Sequence, residues 1–452
     1  MLLCPLDYRY GRDEMKAVLS EENKLRTQLL VEAALARAHA SVGNISKKDA
    51  AAIASKADLK HVKLERVKEI EKKTKHDIMA MVKALSEQCG SAGKYVHLGA
   101  TSNDIIDTAT AIQMSIALEI LENDVLSLMN TFAGMAKKHR KTIMVGRTHG
   151  QFAVPTTFGF KIAGYLAEMM RYLERLSEAR KRICVGKMSG AVGTSAAFGP
   201  KALDIQDAVM MELGLGVERA ATQVVCRDRY AEIISLLAQL CTSCERYATE
   251  VRNLQRSEIQ EVSEAFDYKN QVGSSTMAHK KNPIASENVC GLARIVRAFV
   301  IPSMENMVLW HERDLTNSSS ERFILPHVFV LTDDILAKTN EVFSSLVVRP
   351  DKMKENLEKS QGMIMAESVM MALVERGMGR QEAHELVRKV SLKAETEGKR
   401  LIDVLTSSKD VKAYLSKAEL SKATDPESYI GMAPRIVNAV VADAQKLINS
   451  RG

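Results

Sequence analysis

Residues 104–138 read DIIDTATAIQMSIALEILENDVLSLMNTFAGMAKK, and this stretch decides the fold that the sequence predicts. Its apolar residues recur at spacings of three and four, which keep returning to one face of an α-helix. They form two stripes on roughly opposite sides, the first with Ile105, Ala109, Ile112, Ile116 and Ile120 and the second with Met114, Leu118, Leu121, Val125 and Leu128. At about 1.5 Å of rise per residue the helix is on the order of 50 Å long, and two stripes predict burial against more than one neighbour.

Two further segments, residues 158–183 and 229 to about 264, have the same helical periodicity. We therefore expect a bundle of long helices in the middle of the chain. Proline, the commonest interruption of helices, is absent between Pro5 and Pro155 and between Pro200 and Pro283. Ser102 and Asp104 suit the start of the first long helix as caps.

Shorter helical pieces punctuated by glycines precede this bundle, and further short helices follow the proline at position 350. The sequence therefore predicts an all-α fold with three helical domains. These are an N-terminal domain over residues 1–101, a central long-helix bundle over 102–349 and a C-terminal domain over 350–452. We see no alternation of strand and helix signals, which disfavours a Rossmann sheet.

Composition excludes several classes of protein. The 452 residues contain no run of about 18 uncharged apolar residues, and the N-terminus lacks a secretory pattern, so we expect a cytoplasmic protein without membrane association. The net charge of +7 arises from interspersed charges, and nucleic acid binding is not required to explain it. The seven cysteines fit reduced thiols, and we favour core packing over metal binding for the pair Cys241 and Cys244.

Two clusters of polar residues interrupt the helical pattern in the first third of the chain. Lys75, His76 and Asp77 precede a helical run, where Asp77 can cap the helix and the free amides can hold an anion. An ordinary cap beside a solvated histidine explains this cluster equally well. His149 lies between Gly146 and Gly150 on a turn-like backbone, where an imidazole can exchange protons with a ligand near neutral pH. An ordinary loop histidine is the alternative.

Two more clusters follow in the second half of the chain. Residues 273–283 read GSSTMAHKKNP and combine hydroxyls, an amide and two lysines in a loop that could close over a carboxylate or phosphate; the alternative is a surface turn. Residues 311–322 read HERDLTNSSSER and contain two arginines that could clamp a phosphate. An internal salt-bridge network would also explain that segment. We find no HExxH motif and no other cluster at metal-ligand spacing.

Taken in order, these clusters resemble the fumarase and aspartase superfamily. The hallmark is GSSTMAHKKNP, which is similar to the superfamily signature GSSxMPxKxNP and departs from it at Ala278, where proline is usual. The resemblance extends over nearly the whole chain and includes these further segments: Asp7 to Tyr10, Lys75 to Asp77, Thr101 and Ser102, Arg147 to Gly150, Thr222 to Val224, and Glu312 to Arg322. Loss of the proline should loosen the loop backbone without removing a functional side chain.

The resemblance implies a lyase that eliminates fumarate from succinylated purine nucleotides in purine biosynthesis, by general acid-base chemistry and without a metal or other cofactor. It also implies a homotetramer whose active sites are shared between subunits, with a small-molecule nucleotide as substrate. By analogy, Ser274 removes the proton, His149 protonates the departing nitrogen, and His76 helps to orient the acid or the phosphate. Lys280 and the loop amides would stabilise the serine anion.

The same resemblance assigns a set of substrate contacts. These are Arg9, Tyr10, Lys75, Asp77, Thr101, Ser102, Thr148, Gln223, Ser275, Lys280, Asn282, Arg313, Ser318 and Arg322. The superfamily also contains argininosuccinate lyases and carboxymuconate cycloisomerases, which remain as alternatives. A catalytically silent structural homologue is a further alternative, because a fold alone does not guarantee activity.

Overall fold

The computed structural model of the chain describes residues 3–267, 269, 276–277 and 279–451. In these residues the chain is predominantly helical, and the predicted all-α class is confirmed. The first ten α-helices are α1 (Asp13–Leu19), α2 (Glu21–Ser41), α3 (Lys47–Ala54), α4 (Leu64–Thr74), α5 (Asp77–Gln88), α6 (Ser102–Lys138), α7 (Phe158–Ile183), α8 (Ala202–Leu213), α9 (Asp228–Leu254) and α10 (Ile284–Ala298). The others are α11 (Val300–Glu305), α12 (Thr316–Ser344), α13 (Pro350–Glu358), α14 (Ala366–Glu375), α15 (Arg380–Glu397), α16 (Leu401–Ser407), α17 (Lys409–Lys412), α18 (Lys417–Ala423) and α19 (Ala433–Asn449).

Short strands and 3₁₀ turns connect these helices. The strands are β1 (Ile143–Thr148), β2 (Gln151–Thr157), β3 (Val185–Gly186), β4 (Gly216–Val217), β5 (Val262–Ser263) and β6 (Val347–Val348). They form three two-stranded ladders: β1 with β2 and β5 with β6, both antiparallel, and β3 with β4 in parallel. The 3₁₀ turns are Pro5–Asp7, Gly90–Tyr95, Ala196–Phe198, Met363–Met365 and Pro426–Tyr429.

The long helices follow the sequence pattern closely, with one exception. The second predicted segment coincides with α7, and the first begins two residues earlier than predicted, at Ser102. The third prediction, which extended to about residue 264, is wrong at its end because α9 stops at Leu254. Beyond it the chain adopts a left-handed conformation at Gln260, with φ of 56°, and enters β5.

Both apolar stripes of α6 are buried. Leu118, Leu121 and Val125 are wholly inaccessible to solvent, whereas Ile116 and Ile120 on the other stripe are partly buried. The prediction of burial on two sides is therefore confirmed. Four polar residues near the start of α6 are buried as well, which the pattern did not predict; they are Asn103, Asp104, Asp107 and Thr108.

The chain divides into two compact units. The first comprises residues 1–125, 172–245 and 290–337. Its main apolar core lies among α2, α3, α5, α8 and the beginning of α6, and α2 packs against both α3 and α8. Ser20 caps α2 by accepting a hydrogen bond from the Asn23 amide, so the helix begins where the sequence supplies a hydroxyl.

The second unit comprises residues 126–171, 246–289 and 338–452. Here α13 packs against β1, and a small apolar cluster joins Val145 to Leu357, Ile364 and Met365. The C-terminal helices α14 to α18 share a separate apolar core. Five long helices, α6, α7, α9, α10 and α12, each contribute residues to both units, so the predicted boundaries at 101/102 and 349/350 stay a prediction.

Candidate active site

His149 lies at the tip of the hairpin formed by β1 and β2. Thr148 pairs with Gln151, so His149 and Gly150 form a two-residue turn. Their φ angles are 54° and 75°, and positive values at both positions are what a type I′ hairpin turn requires. The left-handed region is unfavourable for a residue with a Cβ, so the conformation of His149 costs about 1 kcal/mol, which the pairing of the two strands has to offset. The predicted turn is confirmed, whereas its two flanking strands were not foreseen.

The predicted segment of Lys75, His76 and Asp77 joins α4 to α5. Lys75 ends α4 in a left-handed conformation, and His76, rather than Asp77, is the N-cap of α5, because its Nδ1 accepts a hydrogen bond from the Met79 amide at 3.4 Å. The expectation that Asp77 caps the helix is therefore wrong. Asp77 is the first helical residue, and its carboxylate lies 3.5 Å from the Arg322 guanidinium.

Lys24 of α2 adds a cation that sequence reasoning missed. Burial lowers the pKa of its ammonium group, the charge of Arg322 lowers it further, and the Asp77 carboxylate opposes the shift. A lysine perturbed in this way, close to two predicted site residues, is a candidate for ligand binding. No sequence signal marks it, because Lys24 lies within the helical run of α2 and outside every motif.

Thr101 and Ser102 stand at the beginning of α6, directly beside a buried carboxylate. The Asp104 side chain accepts a hydrogen bond from the Thr101 amide at 2.8 Å, which confirms Asp104 as a residue that caps this helix. Ser102, the other expected cap, is the first helical residue, so the expectation that it caps the helix is wrong. The two predicted contact residues therefore hold a defined position at a helix N-terminus, where amides favour an anion.

Asp104 also fixes the glycine-rich segment 186–199. It accepts a hydrogen bond from Lys187 Nζ at 2.5 Å and from the amides of Ser189 and Gly190 at 2.9 and 3.0 Å. Both charged side chains of this ion pair are fully buried. The start of α6 and the glycine-rich segment are therefore joined by an ion pair that the sequence pattern did not reveal.

Gln223 connects the glycine-rich segment to Arg313. Its Nε2 donates to the carbonyl of Ala191 at 2.9 Å, and its Oε1 accepts from Arg313 at 2.7 Å. Gly193 packs tightly against the loop that precedes Gln223, and a Cβ on Gly193 would lie 1.9 Å from the carbonyl oxygen of Ala221. Two predicted site residues, Gln223 and Arg313, are thus in direct contact.

The segment after Arg313 shapes the beginning of α12. Asp314 accepts hydrogen bonds from Thr316 and from the Trp310 amide, and the Thr316 hydroxyl and amide contribute most to the low pKa of this carboxyl. Glu321 pairs with the buried Arg227, so part of this cluster is the salt-bridge network considered as an alternative. Ser318 lies in the first turn of α12 and Arg322 one turn further on.

The remaining predicted residues lie in loops or at the ends of secondary-structure elements. The amides of Arg9 and Tyr10 both donate to the Pro5 carbonyl, and the Lys280 amide donates to the carbonyl of Met277. Thr148 ends β1, and Asn282 precedes α10, whose first amides are capped by the Glu264 carboxylate. Ser274, Ser275 and Ala278 lie outside the described residues. Within the described part of the chain no cluster of histidine, cysteine and carboxylate side chains could hold a metal, and the metal-free site stays a prediction.

Comparison with known proteins gives a consistent result. A family model described as "Lyase" matches residues 7–298, and one described as "Adenylosuccinate lyase C-terminus" matches residues 362–440. The chain is 54% identical to the adenylosuccinate lyase of Pyrococcus abyssi over 441 residues, which cover 98% of each chain. It is 49% identical to that of Methanocaldococcus jannaschii over 98% of this chain and 96% of the relative.

Solved structures of related enzymes have the same fold. A fumarate lyase from Mesorhizobium sp. BNC1 matches with a TM-score of 0.89 and 34% identity, over 96% of this chain and 98% of the other. A 3-carboxy-cis,cis-muconate lactonizing enzyme from Pseudomonas putida matches with a TM-score of 0.88 and 32% identity, over 98% and 99%. No helix in the described residues has the length and hydropathy needed to cross a membrane.

Proposed function

The chain belongs to the adenylosuccinate lyase family within the fumarase and aspartase superfamily, and from this premise we propose how its residues split adenylosuccinate into fumarate and AMP. The observation that carries the activity is 54% identity to an adenylosuccinate lyase across 98% of both chains. The chain is thus a carbon-nitrogen lyase. We extend the proposal to the succinylaminoimidazole-carboxamide ribotide of purine biosynthesis, whose succinyl group is joined through the same kind of bond.

The reaction is a β-elimination that needs a base and an acid. In our proposal Ser274 removes the proton from the succinyl carbon next to a carboxylate, and Lys280 with the loop amides stabilises the serine anion. Electrons of the broken C–H bond form the double bond of fumarate as the C–N bond breaks. His149 then donates a proton to the departing nitrogen. The exposed two-residue turn that carries His149 supports this assignment, because an imidazole there is accessible to a substrate.

The anionic groups of the substrate need fixed donors. We propose that Thr101, Lys280 and Asn282 bind the succinyl carboxylates, and that the predicted arginines and serines bind the phosphate. The position of Thr101 immediately before the long helix α6 supports the first part, because the dipole at a helix N-terminus favours an anion. The cationic pair of Lys24 and Arg322 and the contact between Gln223 and Arg313 support the second.

We also propose that the enzyme is a homotetramer in which each site takes residues from several subunits. An exposed apolar segment supports a large interface between copies. Between residues 295 and 323, eight large apolar side chains are exposed to solvent in the single chain: Ile295, Ile301, Met304, Met307, Val308, Trp310, Leu315 and Phe323. Such concentrations of exposed apolar residues mark interaction surfaces.

We further propose that the enzyme is cytoplasmic. Its seven free cysteines support this proposal, since reduced thiols are typical of the cytoplasm.

A direct assay tests this function. The purified protein is mixed with adenylosuccinate, and the change in ultraviolet absorbance to that of AMP is followed, with argininosuccinate and 3-carboxymuconate as control substrates. We expect turnover of adenylosuccinate and of neither control substrate. We further expect Ser274→Ala and His149→Ala each to lower kcat by at least about 100-fold. Turnover of argininosuccinate in place of adenylosuccinate would overturn the substrate assignment. A near-normal rate of Ser274→Ala would overturn the assignment of Ser274 as the base.

A further inference from the structure

Arg147 and Glu261 form a buried ion pair at the base of the hairpin that carries His149. We propose that this pair positions His149 for proton transfer to the departing nitrogen, an inference that rests on the proposed function. Neither residue is among the predicted catalytic or substrate-contact residues, although Arg147 opens the predicted segment 147–150. Arg147 lies two residues before His149, and Glu261 comes just before the segment that contains the signature loop.

The pair has a bidentate geometry. Arg147 Nη1 donates to Glu261 Oε2 at 2.9 Å, and Nη2 donates to Oε1 at 2.7 Å. The Glu261 side chain is fully buried and that of Arg147 is 17% exposed. Two parallel bonds fix the orientation of the guanidinium as well as its distance, which a single contact would leave free. The backbone of β1 is therefore held at Arg147 in one orientation.

Glu261 is itself held from three directions. Its Oε1 accepts a second hydrogen bond from Asn356 Nδ2 at 2.9 Å, its carbonyl accepts from the Arg349 amide, and its amide donates to the Leu254 carbonyl. Next to it, β5 pairs with β6, which precedes α13. The carboxylate is thus a rigid anchor, because the end of α9, β6 and α13 all fix it.

The tip of the hairpin depends on the strands that carry it. Residues 148–152 are exposed in the single chain, and Phe152, which pairs with Arg147, has its ring centroid 5.5 Å from the Arg147 guanidinium, so among the described residues the hairpin itself sets the position of His149. The nearest fixed point is Arg147, roughly 7 Å away at about 3.4 Å per extended residue. A change of orientation at Arg147 is therefore carried to the tip. A misplacement of about 1 Å can lower a rate about 100-fold. We therefore expect the ion pair of Arg147 to determine how fast His149 transfers its proton.

The pair also couples the acid to the segment that contains the base. Glu261 and Glu264 lie three residues apart, and the Glu264 carboxylate caps α10, which begins immediately after the signature loop. The chain on both sides of that loop is therefore anchored in the same unit as His149. Residues that anchor two catalytic segments to one rigid part of the chain help to keep the catalytic groups at a fixed distance from each other.

The test compares variants that weaken the pair with one that removes another ion pair. Arg147→Lys keeps the charge but not the two parallel bonds, and the double variant Arg147→Met/Glu261→Gln removes both charges and leaves no buried charge unpaired. The control is Lys161→Met/Glu250→Gln, which removes a half-buried pair joined at 2.6 Å in the same unit. Each variant is assayed for kcat, KM, the solvent deuterium isotope effect on kcat and the melting temperature.

We expect the double variant to lower kcat by about 10-fold or more while KM changes less than about 3-fold. Its solvent isotope effect should rise, since delivery of the proton becomes slower, and a merely structural role would not produce that change. Arg147→Lys should fall between the wild type and the double variant. The control should keep the wild-type kcat and isotope effect.

The inference is overturned if Arg147→Lys and the folded double variant both keep kcat within about 2-fold of the wild type and an unchanged isotope effect. If the double variant does not fold, Arg147→Lys alone decides by the same two measurements. Failure of the proposed function looks different. In that case the wild type does not turn over adenylosuccinate, or His149→Ala keeps its rate, whatever the variants at Arg147 and Glu261 do.

Discussion

Asp124 of α6 shares one guanidinium with a second carboxylate. Arg12 Nη2 donates a hydrogen bond to Asp124 Oδ2 at 2.5 Å. Arg12 also donates to both carboxylate oxygens of Asp333, and the bond from its Nε to Asp333 Oδ2 is 3.0 Å long. Burial raises the pKa of the Asp124 carboxyl from 3.8 to about 7; the Arg12 charge opposes this shift and the like charge of Asp333 adds to it. One guanidinium cannot compensate two buried carboxylates fully, so the folded chain retains a proton here at mildly acidic pH.

This proton gives Asp124→Asn a testable effect on stability. Because its pKa is raised on folding, Asp124 contributes stability that is complete below about pH 4 and is lost as the pH rises towards 7. We expect the wild type to lose at least about 1.4 kcal/mol across this window relative to Asp124→Asn, the equivalent of one pKa unit. Urea unfolding at several pH values measures the difference, and parallel pH profiles of the two proteins would contradict it.

The buried pair of Lys187 and Asp104 makes a second prediction for single residues. Lys187→Met leaves the Asp104 carboxylate buried without its cation, and we expect a loss of about 3 kcal/mol in the free energy of unfolding. Asp104→Asn in the same chain should recover part of this loss. Lys201, an exposed lysine bonded to the Val42 carbonyl, provides the control, since Lys201→Met should change stability by less than about 0.5 kcal/mol. Equal urea midpoints for Lys187→Met and the wild type would rule out this role.

At the scale of elements, local pattern predicted α6 and α7 because their periodicity extends over many turns. The hairpin of β1 and β2 was missed, although its residues carried a signal. The turn of His149 and Gly150 stands between the β-branched and aromatic residues of TIMV and FAVPTT, which is typical of a two-residue hairpin. The end of α9 was misjudged because a left-handed residue and a short strand interrupt an otherwise helical composition.

Two glycines of the glycine-rich segment allow a matched test of that element. Gly193 and Gly199 both have left-handed φ angles, 85° and 77°, but only at Gly193 would a Cβ meet backbone, at 1.9 Å from the Ala221 oxygen; nothing lies within 4 Å at Gly199. We expect Gly193→Ala to displace the neighbouring Gln223 and raise the KM for adenylosuccinate about 10-fold or more. Gly199 has a ψ of −165°, a combination that essentially only glycine adopts, so Gly199→Ala should cost about 1 to 3 kcal/mol in stability with little change in KM. Equal KM values for the two variants would contradict this reasoning.

Residues of the candidate site that lie in recognisable motifs could be predicted from the sequence, whereas the ion pairs between distant segments could not. Gln223 and Arg313 stood in recognisable segments and are indeed in contact. The pairs Asp104 with Lys187 and Arg147 with Glu261 are separated by 83 and 114 residues, and nothing in the local pattern joins their members. Such pairs depend on how distant helices pack, which one sequence read by periodicity and motif does not determine.

At the scale of the whole molecule, the apolar segment between Ile295 and Phe323 is unfavourable in water as long as the chain stands alone. Large apolar side chains at this density favour association, and the burial of each one contributes about 1.5 to 3 kcal/mol. A closed symmetric assembly covers such a segment in every copy. Activity should then depend on protein concentration, because a dissociated chain lacks the residues that other subunits supply in our proposal.

Ile301→Glu tests this dependence without touching a proposed site residue. Ile301 lies in α11 and is 67% exposed, so a glutamate there is harmless in a lone chain but places an unpaired charge in a buried interface. We expect a smaller particle by light scattering and at least a 10-fold loss of activity at low enzyme concentration. Leu392, 56% exposed in α15, gives the matched control, and Leu392→Glu should leave mass and activity unchanged. If Ile301→Glu kept the mass and the specific activity of the wild type at every concentration, this segment would not be the interface that completes the site.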